Sequence, residues 1–303
     1  MNKSEKILSL DADNPALSNR QIAEAVGCTR RLVRMIRNTA EAYKGRMPKI
    51  LIFDIETAPM EIYTWGLYKQ HPQTHQVIKD WSLLSWSAKW LFNDTVYSQR
   101  VTGEQAIERD DSSIVKSLWA LLDEADLVIG HNAAKFDVRK ANLRFALNGL
   151  LPPNPYRVID TLTHSRKVFG SSSFKMDYLN KIFGLSMKIP TNFQLWVDCV
   201  KGSNKALKEM ETYNRMDVNI TEELYLKLRP WMKGHPNVAL YINTDETLCT
   251  NCGNEDLEWA GYYFTPAGKY RSFRCNGCGA IGRSRISDLD KESRAKLLLS
   301  VAA

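Results

Sequence analysis

The chain has 303 residues, a formal net charge of +7 and 44% apolar residues, a composition ordinary for a globular protein. No apolar run approaches the roughly 20 residues that a membrane-spanning helix needs, and the basic N-terminus lacks the apolar stretch of a secretory signal. These features exclude an integral membrane protein and predict a cytoplasmic one. No phosphate-binding Gly-x-x-x-x-Gly-Lys-Ser/Thr loop occurs, which excludes a motor driven by nucleoside triphosphates.

Residues 1–46 predict a small basic helical domain. The pattern is that of a helix-turn-helix, in which Ser18 or Asn19 can cap the first helix, Gly27 suits the turn and Thr29 can cap the second helix. The second helix carries four arginines at positions where a recognition helix meets DNA: Arg30, Arg31, Arg34 and Arg37. The alternative is a three-helix docking unit whose arginines are merely solvated.

A second domain is predicted for residues 49–243, and it begins with a buried strand. Four apolar residues, 50–53, precede the acid-x-acid step of Asp54 and Glu56. Because side chains alternate along a strand, the two carboxylates point to the same face. Carboxylates this close repel each other unless a divalent cation lies between them, so the pattern indicates a metal site.

Two further acidic residues occur in contexts that suit the same site. Asp137 begins a predicted helix that follows a predicted strand, 126–130. Tyr213 and Asp217 are four residues apart in a helix predicted for 204–228, so they share one helix face. A phenol and a carboxylate on one face can reach the same water molecule.

The elements of this second domain begin with strands and then alternate with helices. We predict strands near 50–56, 62–68, 82–88, 95–101, 126–130 and 156–160, and helices over 112–124 and 137–149. This order fits a mixed α/β layer architecture.

The third predicted domain, residues 244–303, contains two Cys-x-x-Cys pairs separated by 22 residues. The four cysteines are Cys249, Cys252, Cys275 and Cys278. Such pairs suit one structural, tetrahedral zinc ion, and the alternating run between them reads as a hairpin, so the pattern predicts a zinc ribbon. The two remaining cysteines, Cys28 and Cys199, are expected to be buried thiols.

Aromatic and basic residues are interleaved in the second half of this predicted ribbon, which suits phosphate contact and base stacking. They are Tyr270, Arg271, Phe273, Arg274, Arg283 and Arg285. Of these we expect Arg271 and Arg274 to contact nucleic acid. The alternative is a ribbon that docks onto its own core or onto a partner protein.

Three of these motifs together resemble a known family. Asp-x-Glu after a strand, Asn-x-x-x-Phe-Asp ending at Asp137, and Tyr-x-x-x-Asp ending at Asp217 are similar to the exonuclease motifs of the DEDD superfamily. Tyr213 marks the DEDDy branch, since the DEDDh branch needs a histidine where this chain has Thr212. The chain resembles the phage and bacterial ribonuclease-H-like exonucleases with an N-terminal helix-turn-helix and a C-terminal zinc ribbon. The resemblance covers roughly residues 49–237.

The resemblance implies a ribonuclease-H-like mixed sheet flanked by helices, and a 3′–5′ exonuclease that uses two Mg²⁺ or Mn²⁺ ions. It implies that Asp54 bridges both ions, that Glu56 and Asp217 complete the site that activates water, and that Asp137 holds the second ion. Tyr213 is implied to orient the attacking water. For a phage-encoded chain, the expected location is the host cytoplasm.

DNA, as single strands or duplex ends, is the substrate that the sequence favours. A helix-turn-helix docks best in the major groove of B-form DNA and poorly on A-form RNA. Because the chain has no polymerase domain, any proofreading would require a polymerase or replication protein as partner, and no membrane partner is expected. Two alternatives stay open: a 3′–5′ exoribonuclease, and a non-enzymatic DNA-binding regulator on a nuclease-derived scaffold.

Overall fold

A computed structural model describes residues 3–42, 47–242, 244–299 and 301. The described residues group into two units, one of residues 49–225 and one that combines residues 3–48 with residues 226–301. Among the described helices, none is both long enough and apolar enough to cross a bilayer. The predicted division into three domains stays a prediction.

The unit of residues 49–225 is built around a five-stranded mixed sheet. Its elements in chain order are β1 (Ile50–Thr57), β2 (Glu61–Ile62), β3 (Val77–Lys79), β4 (Leu83–Trp90), β5 (Val96–Arg100), α4 (Gly103–Glu108), α5 (Ser112–Glu124), β6 (Leu127–Gly130), α6 (Asp137–Leu147), β7 (Arg157–Asp160), α7 (Thr161–Val168), α8 (Met176–Phe183), α9 (Phe193–Val200) and α10 (Asn204–Leu228), whose last residues extend beyond the unit. The sheet order is β5-β4-β1-β6-β7. Strands β4 and β5 run antiparallel to their neighbours, whereas β1, β6 and β7 are parallel. The predicted mixed α/β class is confirmed, and the arrangement is compatible with a ribonuclease-H-like fold.

Strand β1 has one apolar face and one face that ends in acids. Leu51, Phe53 and Ile55 alternate along it and pack in the main core with helix α5, for example with Leu118 and Leu122. Burial of these three side chains fixes which way the strand faces, since a one-residue slip would exchange the two faces. The intervening acidic residues are therefore forced onto the opposite face.

The strand predicted over 62–68 is wrong. The ladder of β2 and β3 ends at Ile62, paired with Val77, and the following residues form no strand. The apolar residues that suggested a strand are more than 70% exposed: Tyr63, Trp65, Leu67 and Tyr68. They carry strand-forming side chains but have neither a ladder partner nor a core to cover them.

Helix α10 lies on β4 through polar contacts. Lys89 Nζ and Glu222 Oε2 are 2.7 Å apart, and both side chains are only 1% exposed. The Glu222 carboxylate also accepts a hydrogen bond of 2.9 Å from the backbone N–H of Phe92. Small, fully buried Ser85 and Ser87 occupy the same face of β4 as Lys89. The buried ion pair therefore fixes α10 along its own axis relative to the sheet.

The second unit contains three N-terminal helices, α1 (Lys3–Asp13), α2 (Asn19–Val26) and α3 (Arg30–Ala42). Ser18 caps α2 in a capping box with Gln21, Gly27 follows the helix at φ 67°, and Thr29 Oγ1 accepts from the N–H of Leu32. These are the caps and turn that the sequence predicts. The small core of this helical segment consists of Ile7, Ile22, Ala23, Val33 and Ile36.

After two 3₁₀ helices, Arg229–Trp231 and Val238–Tyr241, the C-terminal part of this unit contains a small three-stranded sheet and one short α-helix. They are β8 (Leu257–Thr265), β9 (Gly268–Cys275), β10 (Ile281–Arg283) and α11 (Lys291–Ala295). The sheet order is β10-β9-β8, with both pairs antiparallel, so the predicted hairpin is present.

Candidate active site and cysteine cluster

Three carboxylates meet at the end of β1. Asp54 and Glu56 come from the acidic face of this strand, and Asp217 comes from α10. One oxygen of each lies within 4.8 Å of the other two. Hard carboxylate oxygens at this spacing are the ligand type that Mg²⁺ and Mn²⁺ prefer, so the donor set fits such an ion.

Asp137 is the fourth predicted carboxylate, and it lies beside this group without belonging to it. Asp137 lies in the first turn of α6 and is 3% exposed. Its Oδ1 accepts a hydrogen bond of 3.2 Å from the N–H of Ile55, the residue between Asp54 and Glu56 in β1. The loop before it is held by Asp160, whose carboxylate accepts from the N–H groups of Asn132 and Ala134, each at 3.1 Å.

Burial and crowding raise the pKa values of the carboxyl groups in this site. Burial, followed by repulsion from Asp137, Asp217 and Glu56, raises the pKa of Asp54 well above its usual range. Burial and repulsion from Asp217 raise the pKa of Glu56 to about 8. Burial likewise raises the pKa of Asp137 to about 7. Without a cation the site therefore retains protons at neutral pH, and a divalent cation would displace them.

Tyr213 lies one helical turn before Asp217, as the sequence predicts. The ring is 8% exposed and packs edge-on against Trp196, with centroids 6.1 Å apart. Burial and the charge of Asp217 raise the pKa of this phenol to about 12. Tyr213 therefore keeps its proton at neutral pH and can donate a hydrogen bond to a water molecule or a phosphate oxygen.

Lys188 is a site residue that sequence reasoning missed. Its ammonium contacts the carboxylate of Asp217 and donates to the hydroxyl of Tyr213 at 3.0 Å. Burial is the largest single influence and lowers the pKa of Lys188, but the charges and hydrogen bonds of Asp217 and Tyr213 together outweigh it. They raise the pKa above its usual range, so this lysine stays charged. It precedes α9 in a segment without regular structure, where no periodic pattern marks it.

Asn214 is the second missed residue. Its side chain is fully buried, and Nδ2 donates a hydrogen bond of 2.6 Å to Oδ2 of Asp54. This contact fixes one oxygen of Asp54 and leaves the other to face a ligand. The residue follows Tyr213 directly, so its position in the motif was visible, but the partner 160 positions away was not.

A cavity of about 380 Å³ begins next to Glu56 and runs along the start of α9. The residues that line it are Thr57, Ala58, Pro59, Thr191, Asn192, Phe193 and Trp196. Phe193 is 67% exposed there, and Trp196 also contacts Tyr213. The cavity thus combines an aromatic surface with polar groups next to the carboxylates.

The four cysteines of the C-terminal segment come together as predicted. Cys249 and Cys278 have sulfurs 3.7 Å apart, and those of Cys252 and Cys275 are 3.6 Å apart, with all four within 4.8 Å. Sulfurs around a tetrahedral zinc ion lie about 3.8 Å apart, given Zn–S bonds of about 2.3 Å. The cluster therefore fits a zinc ion, and four protein ligands leave no position open for catalysis.

The two cysteine turns repeat one geometry. Gly253 and Gly279 follow their pairs at φ 74° and 80°, and each N–H donates 2.8 Å to the carbonyl of the first cysteine of its own pair. Such left-handed positions favour glycine. In this unit a Cβ at Gly279 would lie 2.6 Å from Nη2 of Arg31, so that arginine lies against the second turn.

The six predicted nucleic-acid contacts differ in their surroundings. Arg37 bonds to the carbonyls of Pro15 and Leu17 and pairs with Asp11 at 2.6 Å, so it ties the N-terminal helices together. Arg31 lies against the cysteine turn. Arg31 is nevertheless exposed, as are the remaining four: Arg30, Arg34, Arg271 and Arg274. Contact of any of the six with nucleic acid stays a prediction.

No protein-family model matches this sequence, and no curated protein matches it. Among solved structures, the chain is similar to the family B DNA polymerase from the hyperthermophilic archaeon Pyrobaculum calidifontis, with 16% sequence identity and a TM-score of 0.43. The match covers 60% of this chain and 25% of the polymerase chain. At this level the likeness assigns neither a family nor an activity.

The raised carboxyl pKa values predict an unusual dependence of stability on pH. With a folded pKa of about 8 and an ordinary value of 4.5, Glu56 binds more protons in the folded state between these values. We therefore expect the metal-free protein to lose stability as pH rises from about 5 to about 8. Mg²⁺ should reduce this loss, because it stabilises the ionised carboxylates.

Thermal unfolding midpoints across this pH range, with and without Mg²⁺, test this expectation. Glu56→Gln should flatten the metal-free slope, because an amide does not titrate in this range. Metal-free stability that rises with pH would contradict the proposed crowding of carboxylates.

The cysteine cluster predicts about one zinc ion per chain in protein purified under reducing conditions. Cys275→Ser should lose this zinc and unfold the C-terminal sheet, because small metal domains draw much of their folding free energy from the ion. Cys28→Ser is the matched control and should keep its zinc. Metal analysis that finds no zinc in the wild-type protein would reject the assignment.

Proposed function

We propose that this protein is a divalent-metal-dependent exonuclease that removes nucleotides from the 3′ end of DNA. The observation that carries the proposal is the convergence of Asp54, Glu56 and Asp217, with Asp137 beside them and Tyr213 one helical turn away. A carboxylate cluster of this composition next to a neutral phenol is suited to phosphodiester hydrolysis with two metal ions. The polarity of digestion follows from the resemblance to DEDDy exonucleases.

In this mechanism the four carboxylates would hold two Mg²⁺ or Mn²⁺ ions, and these ions would supply charge neutralisation and an activated water. The side chain of Asn214 keeps Asp54 in one orientation through its hydrogen bond of 2.6 Å. Tyr213 orients the attacking water with its hydroxyl. Lys188, which contacts both Tyr213 and Asp217, holds the phenol in place and offers a positive charge to the scissile phosphate.

The cavity beside Glu56 supports action on a strand end. Its volume of about 380 Å³ suits one nucleotide, with Phe193 as a surface for the base and Asn192 and Thr57 as polar contacts. A pocket that takes one terminal nucleotide would place the adjacent phosphodiester bond near the carboxylates.

DNA is proposed over RNA because of the N-terminal helices. The α2–α3 pair has the caps and the tight turn of a helix-turn-helix, and Arg30 and Arg34 are exposed on α3. A helix of this kind fits the major groove of B-form DNA and not the narrow groove of A-form RNA. The cysteine cluster, with a zinc ion, is proposed to be purely structural.

Substitutions at the site separate the chemistry of hydrolysis from DNA binding. Asp54→Asn should abolish hydrolysis while leaving DNA affinity nearly unchanged, because it removes a metal ligand and keeps the shape of the side chain. Tyr213→Phe should lower kcat by about 10²-fold, since it removes only the orienting hydroxyl. Both are measured by release of mononucleotides from end-labelled oligonucleotides with Mg²⁺ or Mn²⁺.

Tyr97→Phe is the matched control, because Tyr97 lies on β5 and is 41% exposed. It should behave as the wild type. An Asp54→Asn protein that retains more than about a tenth of the wild-type rate would show that the chemistry occurs elsewhere.

A further inference from the structure

The hairpin of β8 and β9, residues 257–275, exposes large aromatic side chains; it is called the aromatic hairpin below. Seven consecutive residues of β8, 258–264, are exposed to solvent. Four of them are large rings, Trp259, Tyr262, Tyr263 and Phe264, with exposed fractions of 36%, 47%, 53% and 68%. A strand whose role is to bury apolar surface would not present four rings to water.

One face of the aromatic hairpin combines rings with cations. Strand pairing places Tyr262 opposite Arg271 and Phe264 opposite Lys269, so these four side chains share a face. The Lys269 ammonium lies 3.8 Å from the centroid of the Tyr262 ring, and the Arg271 guanidinium lies 5.3 Å from the Trp259 ring. The cations thus hold the rings in place while the rings stay partly open.

The opposite face repeats the arrangement with other residues. Tyr263 pairs with Tyr270, and Arg283 of β10 reaches both rings, at 3.8 Å from Tyr270 and 5.6 Å from Tyr263. A guanidinium stacked on a ring still presents its N–H edge to a phosphate. Both faces therefore offer a flat ring beside a phosphate-binding group.

The charge of this region favours a polyanion. The aromatic hairpin and β10, residues 257–285, hold five basic residues and one acidic residue, Glu258. Among the described residues, no carboxylate lies within 4 Å of the guanidinium groups of Arg271 or Arg283, while Lys269 has Asp288 at 4.0 Å. Cations without acidic partners next to exposed rings are complementary to a strand of alternating phosphates and bases.

The edge of β8 is poorly suited to pairing with an additional β-strand from another chain, which would be an alternative use of this surface. β8 is an edge strand, but its ladder with β9 is interrupted between Trp259 and Tyr262, where Gly261 has φ 68°. A bulge of this kind disturbs the row of backbone groups that another β-strand would need. A second copy of the chain, or a partner that adds a strand, therefore fits this edge poorly.

We propose that the aromatic hairpin binds single-stranded DNA on the face of Tyr262 and Phe264, stacking bases on these two rings and holding phosphates with Arg271. Unpaired bases expose the flat faces that these rings need, whereas a duplex hides them. The choice of DNA over RNA rests on the proposed function. The binding itself does not, because this surface has no part in hydrolysis.

The test uses the full chain with zinc bound, and every variant also carries Asp54→Asn. If the proposed function is right, Asp54→Asn prevents hydrolysis of the DNA during the measurement. If the proposed function is wrong, this substitution has no effect on the assay. Affinity for a labelled oligothymidylate is measured by fluorescence anisotropy. Tyr262→Ala with Phe264→Ala should weaken binding at least tenfold, because each stacked base contributes roughly a 5- to 150-fold effect on affinity. Tyr262→Phe should bind as the parent does, since it keeps the ring.

Control variants and supporting measurements accompany this test. Tyr97→Ala removes an exposed ring outside the aromatic hairpin and should not change affinity. Arg271→Gln should reduce the dependence of log affinity on log salt by about 0.7, the value for one phosphate contact on a single strand. Zinc content and circular dichroism of the double alanine variant should match the parent.

Unchanged affinity of the double alanine variant would overturn the proposal. An equal loss for blunt duplex DNA would also overturn it, because stacking requires unpaired bases. A loss confined to oligouridylate would overturn the choice of DNA. A change in oligomeric state with unchanged DNA affinity would assign the surface to self-association instead.

Discussion

Crowding of carboxylates at the end of β1 is the constraint on which the proposed chemistry depends. Asp54, Glu56 and Asp217 are held within 4.8 Å, and Asp137 is fixed beside them by the N–H of Ile55. Without a cation, these carboxyl groups keep protons at a pH where isolated carboxyl groups are ionised, and the pKa of about 8 for Glu56 reflects this. The fold holds the carboxylates together despite this cost, and a divalent cation between them would relieve their repulsion.

The geometry of the site depends on how α10 is held. This helix supplies Tyr213, Asn214 and Asp217, and an axial shift of one residue, about 1.5 Å, would move all three away from β1. The buried pair of Lys89 and Glu222 prevents that shift, because breaking one partner of a buried ion pair costs about 3–5 kcal/mol. An apolar contact in place of this ion pair would also stabilise the packing of α10, but it would define the axial position of the helix less strictly.

Sequence reasoning succeeded where a local pattern determines the geometry. Alternation along β1 puts Asp54 and Glu56 on one face, and the caps at Ser18 and Gly27 follow from backbone requirements within a few residues. Each cysteine pair is held in its own turn, and the hairpin of β8 and β9 between the two pairs brings the turns together. These features depend on neighbours in the chain, so the sequence alone could indicate them.

Sequence reasoning failed where contacts between residues far apart in the chain determine the structure. Lys188 and Asn214 reach the site through partners 25 to 160 positions away, and no local pattern shows such a contact. Arg37 bonds to carbonyls of the loop before α2, about 20 positions away, and no local pattern shows this contact either. The strand expected over 62–68 failed because apolar side chains suggest a strand even where no partner strand pairs with them.

Digestion of a single-stranded DNA oligonucleotide labelled at either end, with Mg²⁺ or Mn²⁺ present, tests the central claim most directly. A label at the 3′ end should appear in mononucleotide from the earliest time point, and a label at the 5′ end should move through a ladder of shorter products. Early release of a 5′-labelled mononucleotide, or cleavage at internal positions, would contradict 3′–5′ exonuclease action. Absence of hydrolysis with both metals would contradict the catalytic assignment of the carboxylates.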